Sequence, residues 1–325
     1  MQFSLRFDFR NPPFADGTTA DRYAAALDMA AWADGAGCDA IILSEHHGSA
    51  DGYLPSPLPV LAAMAARTTR VRLRVSAMAG PFHDPLRLAE DLVVLDHLSR
   101  GRVDVVIGAG YVSSEFEMFG VDRAERVRRV TELVTTLKAA FTGEPFEYRG
   151  RRVSVTPTPF RPGGPPLALG GSTAKAARRA ARLGVGFEPA GPQLWQPYRE
   201  ELRMLGRPDP GPQAAVSAGL VMLAEVPEKA WGCVAPFLLH EMNSYGAWLS
   251  EASADPLTPK YFTVAGVDEL RASGRYRILT PDELVADVRA DPGRSISFSP
   301  LCGGTPVETG WESLRLLDER VLPRV

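Results

Sequence analysis

Cysteine is scarce in this chain. Cys38, Cys233 and Cys302 are the whole complement: an odd number, far apart, with no CxxC pair. That excludes a disulfide framework and fits a reducing, cytoplasmic setting. A marked excess of either charge is also missing. A formal net charge of -3 and a pI near 6.0 argue against a nucleic-acid partner. No apolar run approaches the roughly 20 residues that span a membrane. The first residues, MQFSLRFDFRNPP, read as a strand rather than a basic-then-apolar leader. No HxH or HExxH spacing occurs, and adjacent His46 and His47 on a strand point to opposite sides, so the expectation is no metal.

What is present is alternation. Phe3–Phe9 is a first strand ended by Pro12 and Pro13. Apolar residues recurring at three to four then predict a helix over Thr19–Ala36. Strands follow at Ala40–Leu43, Val71–Val75, Val103–Ile107, Pro166–Leu169, Val185–Phe187, Ala214–Ala224 and Ser295–Ser299. Helices separate them, among them Pro57–Thr69, Pro85–Leu98, Asp122–Phe141, Thr173–Leu183 and Gln193–Leu205. Thr280 to Glu283 carries capping-box residues with Pro281 at the first helical position. Eight strand–helix units imply a parallel sheet with helices outside, most naturally a (β/α)8 TIM barrel in one domain, 1–325. Two stretches interrupt the pattern. Residues 142–161 alternate like a β-hairpin insertion. Residues 246–277 show no clear period and carry the aromatics Trp248, Tyr261 and Phe262, as expected of a lid or loop. Those aromatics fit an apolar or aromatic substrate, or equally the packing of the lid itself.

In a barrel the loops after the strands form the functional rim. Ser44-Glu45-His46-His47 leaves the second strand there. Ser76 to Pro85, SAMAGPFHDP, leaves the third. Its small residues suit either a flat ligand against the backbone or a tight turn. Gly108-Ala109-Gly110 ends the fourth strand but lacks the third glycine of a dinucleotide fingerprint. Gly170-Gly171-Ser172-Thr173 opens a helix and suits either an anion at its amides or plain hydroxyl capping. The basic run Arg123, Arg126, Arg128 and Arg129 opens the long helix before it, where a bound anion would offset its unfavourable position.

Taken together these motifs resemble the bacterial luciferase-like monooxygenase superfamily. The resemblance covers nearly the whole chain. It rests on FRNP in the first strand, SEHHG with DGYLPSPL, VSAMAGPFHDPLRLAEDLVVLDHLSRGRVDVVIGAGY, Phe119-Gly120, LALGGSTAKAARRAARLG, TPDEL and WESLRLLDERVLP. It implies a (β/α)8 barrel using reduced FMN or the deazaflavin F420. It places His46 as base or hydrogen-bond partner to the reactive flavin, and Ser76-Ala77 at a non-prolyl cis peptide beneath the ring. Gly108 and Gly110 would lie beside the ring. Gly170, Gly171, Ser172 and Thr173 would cradle the phosphate, with Arg126 or Arg128 as its basic partner. Two departures from the family pattern stand out: His83-Asp84 where relatives carry His-His, and Ala109 where luciferase-type chains carry an arginine.

The activity so implied is monooxygenation. Reduced FMN from a separate flavin reductase would react with O2 to a C4a-hydroperoxyflavin and oxygenate a small organic substrate, with 246–277 excluding water. The alternatives are an F420-dependent oxidoreductase, which moves a hydride without O2, and a non-catalytic flavin-binding accessory subunit. Helix Pro57–Thr69 has alanines on nearly every side, which fits packing against a second subunit. Relatives dimerise through this region, so a homodimer is expected.

Overall fold

The structure, a computed structural model, describes residues 1–213, 216–251 and 262–325. In chain order its first half runs β1 (Gln2–Phe7), α1 (Thr19–Gly35), β2 (Ala40–Leu43), α2 (Pro57–Arg67), β3 (Arg72–Ala79), α3 (Pro85–Ser99), β4 (Val103–Gly108), α4 (Ser113–Met118) and α5 (Arg126–Ala140). The hairpin β5 (Phe146–Tyr148) and β6 (Arg151–Val153) follows, as the alternation over 142–161 predicts. Then come β7 (Leu167–Gly171), α6 (Ala174–Leu183), β8 (Gly186–Pro189), α7 (Trp195–Met204), β9 (Val216–Leu223) and α8 (Pro227–Glu251). The chain ends with α9 (Val267–Ala272), β10 (Tyr276–Leu279), α10 (Pro281–Ala290), β11 (Ser295–Phe298) and α11 (Val307–Leu316).

The main sheet has nine strands, all parallel, in the order β10-β9-β11-β1-β2-β3-β4-β7-β8. From β9 to β8 this is the strand sequence of a (β/α)8 barrel, with β10 added outside β9. Curvature is visible in the side chains. Ser76 Oγ of β3 donates to Glu188 Oε1 of β8 at 2.6 Å. Two strands, β4 and β7, lie between them, so a flat sheet would hold these residues about 14 Å apart. Only a curled sheet brings so short a side chain as serine to that carboxylate.

Burial alternates along the strands. Phe3, Leu5 and Phe7 of β1, Ile41 and Leu43 of β2, and Leu73 and Val75 of β3 are buried and join the core formed with Met29, Leu61, Met64 and Leu92 of the helices. The intervening Arg6 and Arg74 turn to the concave side. There Arg6 donates to Ser44 Oγ at 2.5 Å and Ser76 O at 3.1 Å, and Arg74 pairs with Glu188. The continuous apolar run of Ala40–Leu43 therefore does not extend to its neighbours.

The segment 246–277 differs from the loop expected there. Gly246 lies inside α8 rather than at its end, and its lack of a side chain lets the chain pass close by: a methyl group there would stand 2.6 Å from the Phe262 carbonyl carbon. The segment also holds α9 and β10, and β10 pairs in parallel with Leu220–Leu223 of β9. Two short elements beside a glycine turn leave too few residues to show a period. Tyr261 lies outside the described residues. A further element absent from the sequence reading is α4, only six residues long. The Thr280 capping box forms as expected: Glu283 N donates to Thr280 Oγ1 at 3.2 Å, and Thr280 N to Glu283 Oε2 at 2.8 Å.

The start of β3 is fixed by one carboxylate. Asp34, at the end of α1, accepts from the backbone N–H of Thr69 at 2.9 Å and of Arg70 and Val71 at 2.7 Å each. Burial opposes its charge, but these amides and the Thr69 hydroxyl overcome that and hold its pKa at about 2. Asp34→Ala leaves three amides short of an acceptor. It is expected to cost about 2 kcal/mol in urea unfolding at pH 7.

Candidate functional site

The ends of β2 and β3 are stitched together first. Ser44 Oγ donates to Ser76 O at 2.7 Å, and Ala79 N donates to Glu45 Oε2 at 2.8 Å. Between those anchors the Ser76–Ala77 peptide is cis. The β3–β4 register also slips across Ala77: Ser76 faces Val106, and Met78 faces Ile107. Ala77 thus has no partner in β4 and stands at the rim.

Around Ala77 lies a floor of very small residues. A methyl group at Gly108 would stand 3.3 Å from the Ala77 Cβ, and one at Gly170 would stand 3.8 Å from it and 3.4 Å from Val106. Larger side chains would fill this shelf. A flat ring fits against Ala77, Gly108 and Gly170 as they are. Gly110 has φ 71°, the left-handed region that glycine adopts freely, and a side chain there would meet the Phe116 ring at 3.0 Å.

The two adjacent histidines part company. His47 Nε2 lies 2.9 Å from Glu45 Oε1, and His83 Nε2 lies 2.9 Å from the same oxygen. Glu45 is buried; desolvation works to raise its pKa, yet the His47, His83 and Ala79 hydrogen bonds hold it at about 2. Asp84, beside His83, caps α3 by accepting from Leu86 N and Arg87 N at 3.0 Å.

His46 turns the other way. Its Nδ1 lies 2.9 Å from Glu115 Oε1, an oxygen that also accepts from His47 N at 2.9 Å. Its Nε2 lies 3.4 Å from the Tyr111 hydroxyl. The Trp248 ring leans over the imidazole at 4.6 Å, and Tyr53 and Tyr245 meet it edge-on at 4.9 and 5.5 Å. A buried carboxylate on one nitrogen and a reachable second nitrogen equip this imidazole to hold or pass a proton. Sequence reasoning missed Glu115, Tyr111, Tyr53 and Tyr245. A glutamate in the first turn after Ser113-Ser114 was the available signal for α4.

Arg10 leaves β1 on the same rim. It is fully buried and ion-paired with Asp51. Asp51 also accepts from His240 Nε2 at 2.7 Å and Ser49 Oγ at 2.5 Å. Burial opposes the Asp51 charge, but His240 and Arg10 hold its pKa well below the usual range. The Arg10 guanidinium carbon lies 4.7 Å from the Tyr53 ring centre, 5.1 Å from Trp248 and 5.5 Å from Tyr245. Nearby, Asp8, Glu241 and Cys302 bring buried ligand-type atoms within 4.8 Å of one another. Asp8 already accepts from Arg10 N and Gly303 N, and Glu241 from the Tyr276 hydroxyl. Burial pushes Asp8 up to about 6 and the Cys302 thiol well above its usual value.

The helix-start residues sit at the same end of the strands as His46. A methyl group at Gly171 would stand 2.5 Å from the Ala176 Cβ, so this glycine permits close strand–helix packing. Thr173 Oγ1 caps α6 by accepting from Ala176 N at 3.2 Å, and Ser172 is exposed. The amides of Ala174 and Lys175 point out of the helix end, as the first amides of any helix do. Arg126 donates to Arg123 O at 2.8 Å, and its charge bears on Arg179 of α6. Arg128 is exposed and engaged with Glu125 at 2.8 Å and Glu132 at 3.5 Å. Phe262 is exposed, with its backbone against Gly246 of α8, whereas the Trp248 ring lies over His46. A cavity of about 370 Å³ opens beside α8, lined by Phe14, Pro236, Leu239, His240, Asn243 and Ser244.

A family model described as luciferase-like monooxygenase matches residues 1–278. The 4-hydroxyprotoasukamycin monooxygenase of Streptomyces nodosus subsp. asukaensis is 33% identical over 177 residues, covering 50% of this chain and 47% of that protein. The match thus spans about half the length of that curated relative. The monooxygenase RslO1 from Streptomyces bottropensis superposes with a TM-score of 0.76 at 26% identity, covering 99% of both chains. The oxygenating constituent of 3,6-diketocamphane monooxygenase from Pseudomonas putida, solved in complex with FMN, superposes at 0.75 with 20% identity, covering 100% of this chain and 99% of that one. At that identity the second structure speaks to the fold alone.

Glu45 offers a measurable signature. Its folded pKa is depressed below the ordinary 4.5 to about 2, so its stabilising effect is complete above about pH 4.5 and is lost as pH falls through about 2. Glu45→Gln is expected to unfold about 1–3 kcal/mol more easily at pH 7. In urea titrations across pH, that gap should close between pH 4.5 and 2.

Proposed function

The chain belongs to the luciferase-like monooxygenase family and is an oxidoreductase enzyme, and from that premise we propose that it oxygenates a small organic substrate with reduced FMN and O2. The observation that carries this reading is His46, bound to buried Glu115 and standing on the same rim as the Ala77–Gly108–Gly170 shelf. Reduced flavin, when bound, supplies the electrons that activate O2. The chain supplies the rest. Ala77, Gly108 and Gly170 seat the ring, with Ser76 and Gly110 flanking it. His46 holds a proton at Nε2, oriented through Nδ1 by Glu115. The aromatic rings over His46, Trp248 first among them, keep water from it. Gly170, Gly171, Ser172 and Thr173 with the outward amides of α6 receive the phosphate, and Arg126 is the basic partner best placed for it. A separate reductase delivers the reduced cofactor. Among the described residues no helix is long and apolar enough to cross a membrane.

We also propose a homodimer through α2 and α3. In α2, Val60, Leu61, Met64 and Ala65 face the core, while Pro59, Ala63 and Ala66 are exposed. On the adjoining α3, Val94 and Leu98 are 50% and 54% exposed one turn apart. A second subunit would cover this apolar strip.

Two experiments test these readings. Screening organic substrates with NADH, a flavin reductase, FMN and O2 should give O2-dependent products, and His46→Ala should lower turnover about 100-fold with FMN binding unchanged. Full turnover by His46→Ala would remove the role given to that residue. Product formed anaerobically with reduced F420 would instead establish hydride transfer. Sedimentation at micromolar concentration should show a dimer, and Val94→Glu with Leu98→Glu should convert it to a monomer.

A further inference from the structure

Arg10 has more donors than its neighbours use. The side chain is 0% exposed, one Nη1 pairs with Asp51, and Nε and Nη2 find no acceptor among the described residues. Ring faces attract the guanidinium as a whole but offer no lone pair in line with an N–H. The free pair matters by its shape. Nε–H and Nη2–H lie side by side along one edge of the planar fork and converge on a single acceptor group.

The surroundings define that acceptor. Trp248 is only partly buried, and its ring lies 5.1 Å from the Arg10 guanidinium and 4.6 Å from His46. A planar molecule in the place of this indole would lie between His46 and the Arg10 guanidinium, with Tyr53 and Tyr245 beside it and a substituent at its edge within reach of the unpaired N–H groups. The charge is already balanced. Asp51 neutralises Arg10, and buried Asp8 stands close by, so a further carboxylate would be repelled. We infer that Arg10 binds the carbonyl oxygen of a planar, uncharged substrate that displaces the Trp248 ring. This rests on the reading of His46 as the group facing the reaction, and it names the substrate class of that site.

Calorimetric titration of the flavin-free chain tests the inference without turnover. The probes are 4-hydroxyacetophenone, its carbonyl-free counterpart 4-ethylphenol, and the anion 4-hydroxybenzoate. The ketone is expected to bind at least tenfold more tightly than 4-ethylphenol and no less tightly than the anion. Arg10→Lys keeps the charge opposite Asp51 but loses the fork, and should bring the ketone down to the 4-ethylphenol level. Trp248→Ala opens the ring space and should tighten both phenols while keeping the preference for the ketone. Equal affinities for ketone and ethyl compound, tighter binding of the anion, or an unchanged preference in Arg10→Lys would overturn the proposal. If Arg10→Lys does not fold, weaker binding of both phenols to Trp248→Ala overturns it. None of these results depends on redox chemistry, so their failure would leave the flavin reading standing.

Discussion

One buried carboxylate sets the geometry of the rim. Glu45 receives two imidazoles and a backbone amide, tying the end of β2 to the end of β3 and to the residues before α3. Its neighbour Ser44 ties the same two strands through Ser76 O. Charge-assisted hydrogen bonds in a dry setting are stronger than those exposed to water. With Ser44 and Glu45 so fixed, His46 has little choice of direction. It turns away from Glu45 and meets Glu115, and the shelf at Ala77 is held just beyond the paired strand ends.

The concave side of the sheet continues this polar character. Arg6, Arg74, Ser76 and Glu188 form a connected set, while the apolar side of each strand packs against helices. The division of labour is simple. Helix-facing side chains hold the sheet in shape by burial, and the inward-facing groups fix which strand ends meet at the rim. A register slip across Ala77 breaks that order where the small-residue floor begins.

Much of this was legible in the chain. The repeating strands, the histidine after β2, the glycines at the ends of β4 and β7 and the hairpin follow from local patterns, because each is encoded within a few residues. Glu115 was not legible, since its meaning comes from His46, 69 residues away. Nor was the setting of Arg10, which is made by Asp51 and by rings from two distant segments. The short strand β10 escaped because four residues hold too little periodicity to separate from a loop, and only pairing with β9 makes them a strand. Arg126 and Arg128 look alike in sequence. Only the fold shows Arg128 engaged with the half-buried Glu125 and Glu132, and Arg126 bonded to Arg123 O with its charge felt at Arg179 of α6.

His240, Glu241, Tyr245 and Trp248 all ride on α8. They touch Asp51, Tyr276, Tyr53 and His46 respectively. A helix is stiff over three turns, so these four groups share one axis. Their contacts cannot be adjusted one at a time: whatever displaces that axis shifts an ion pair, a hydroxyl bond and an aromatic stack together. Inherited changes anywhere along this rod should therefore arrive in compensating sets, spread over segments of the chain that lie far apart in sequence.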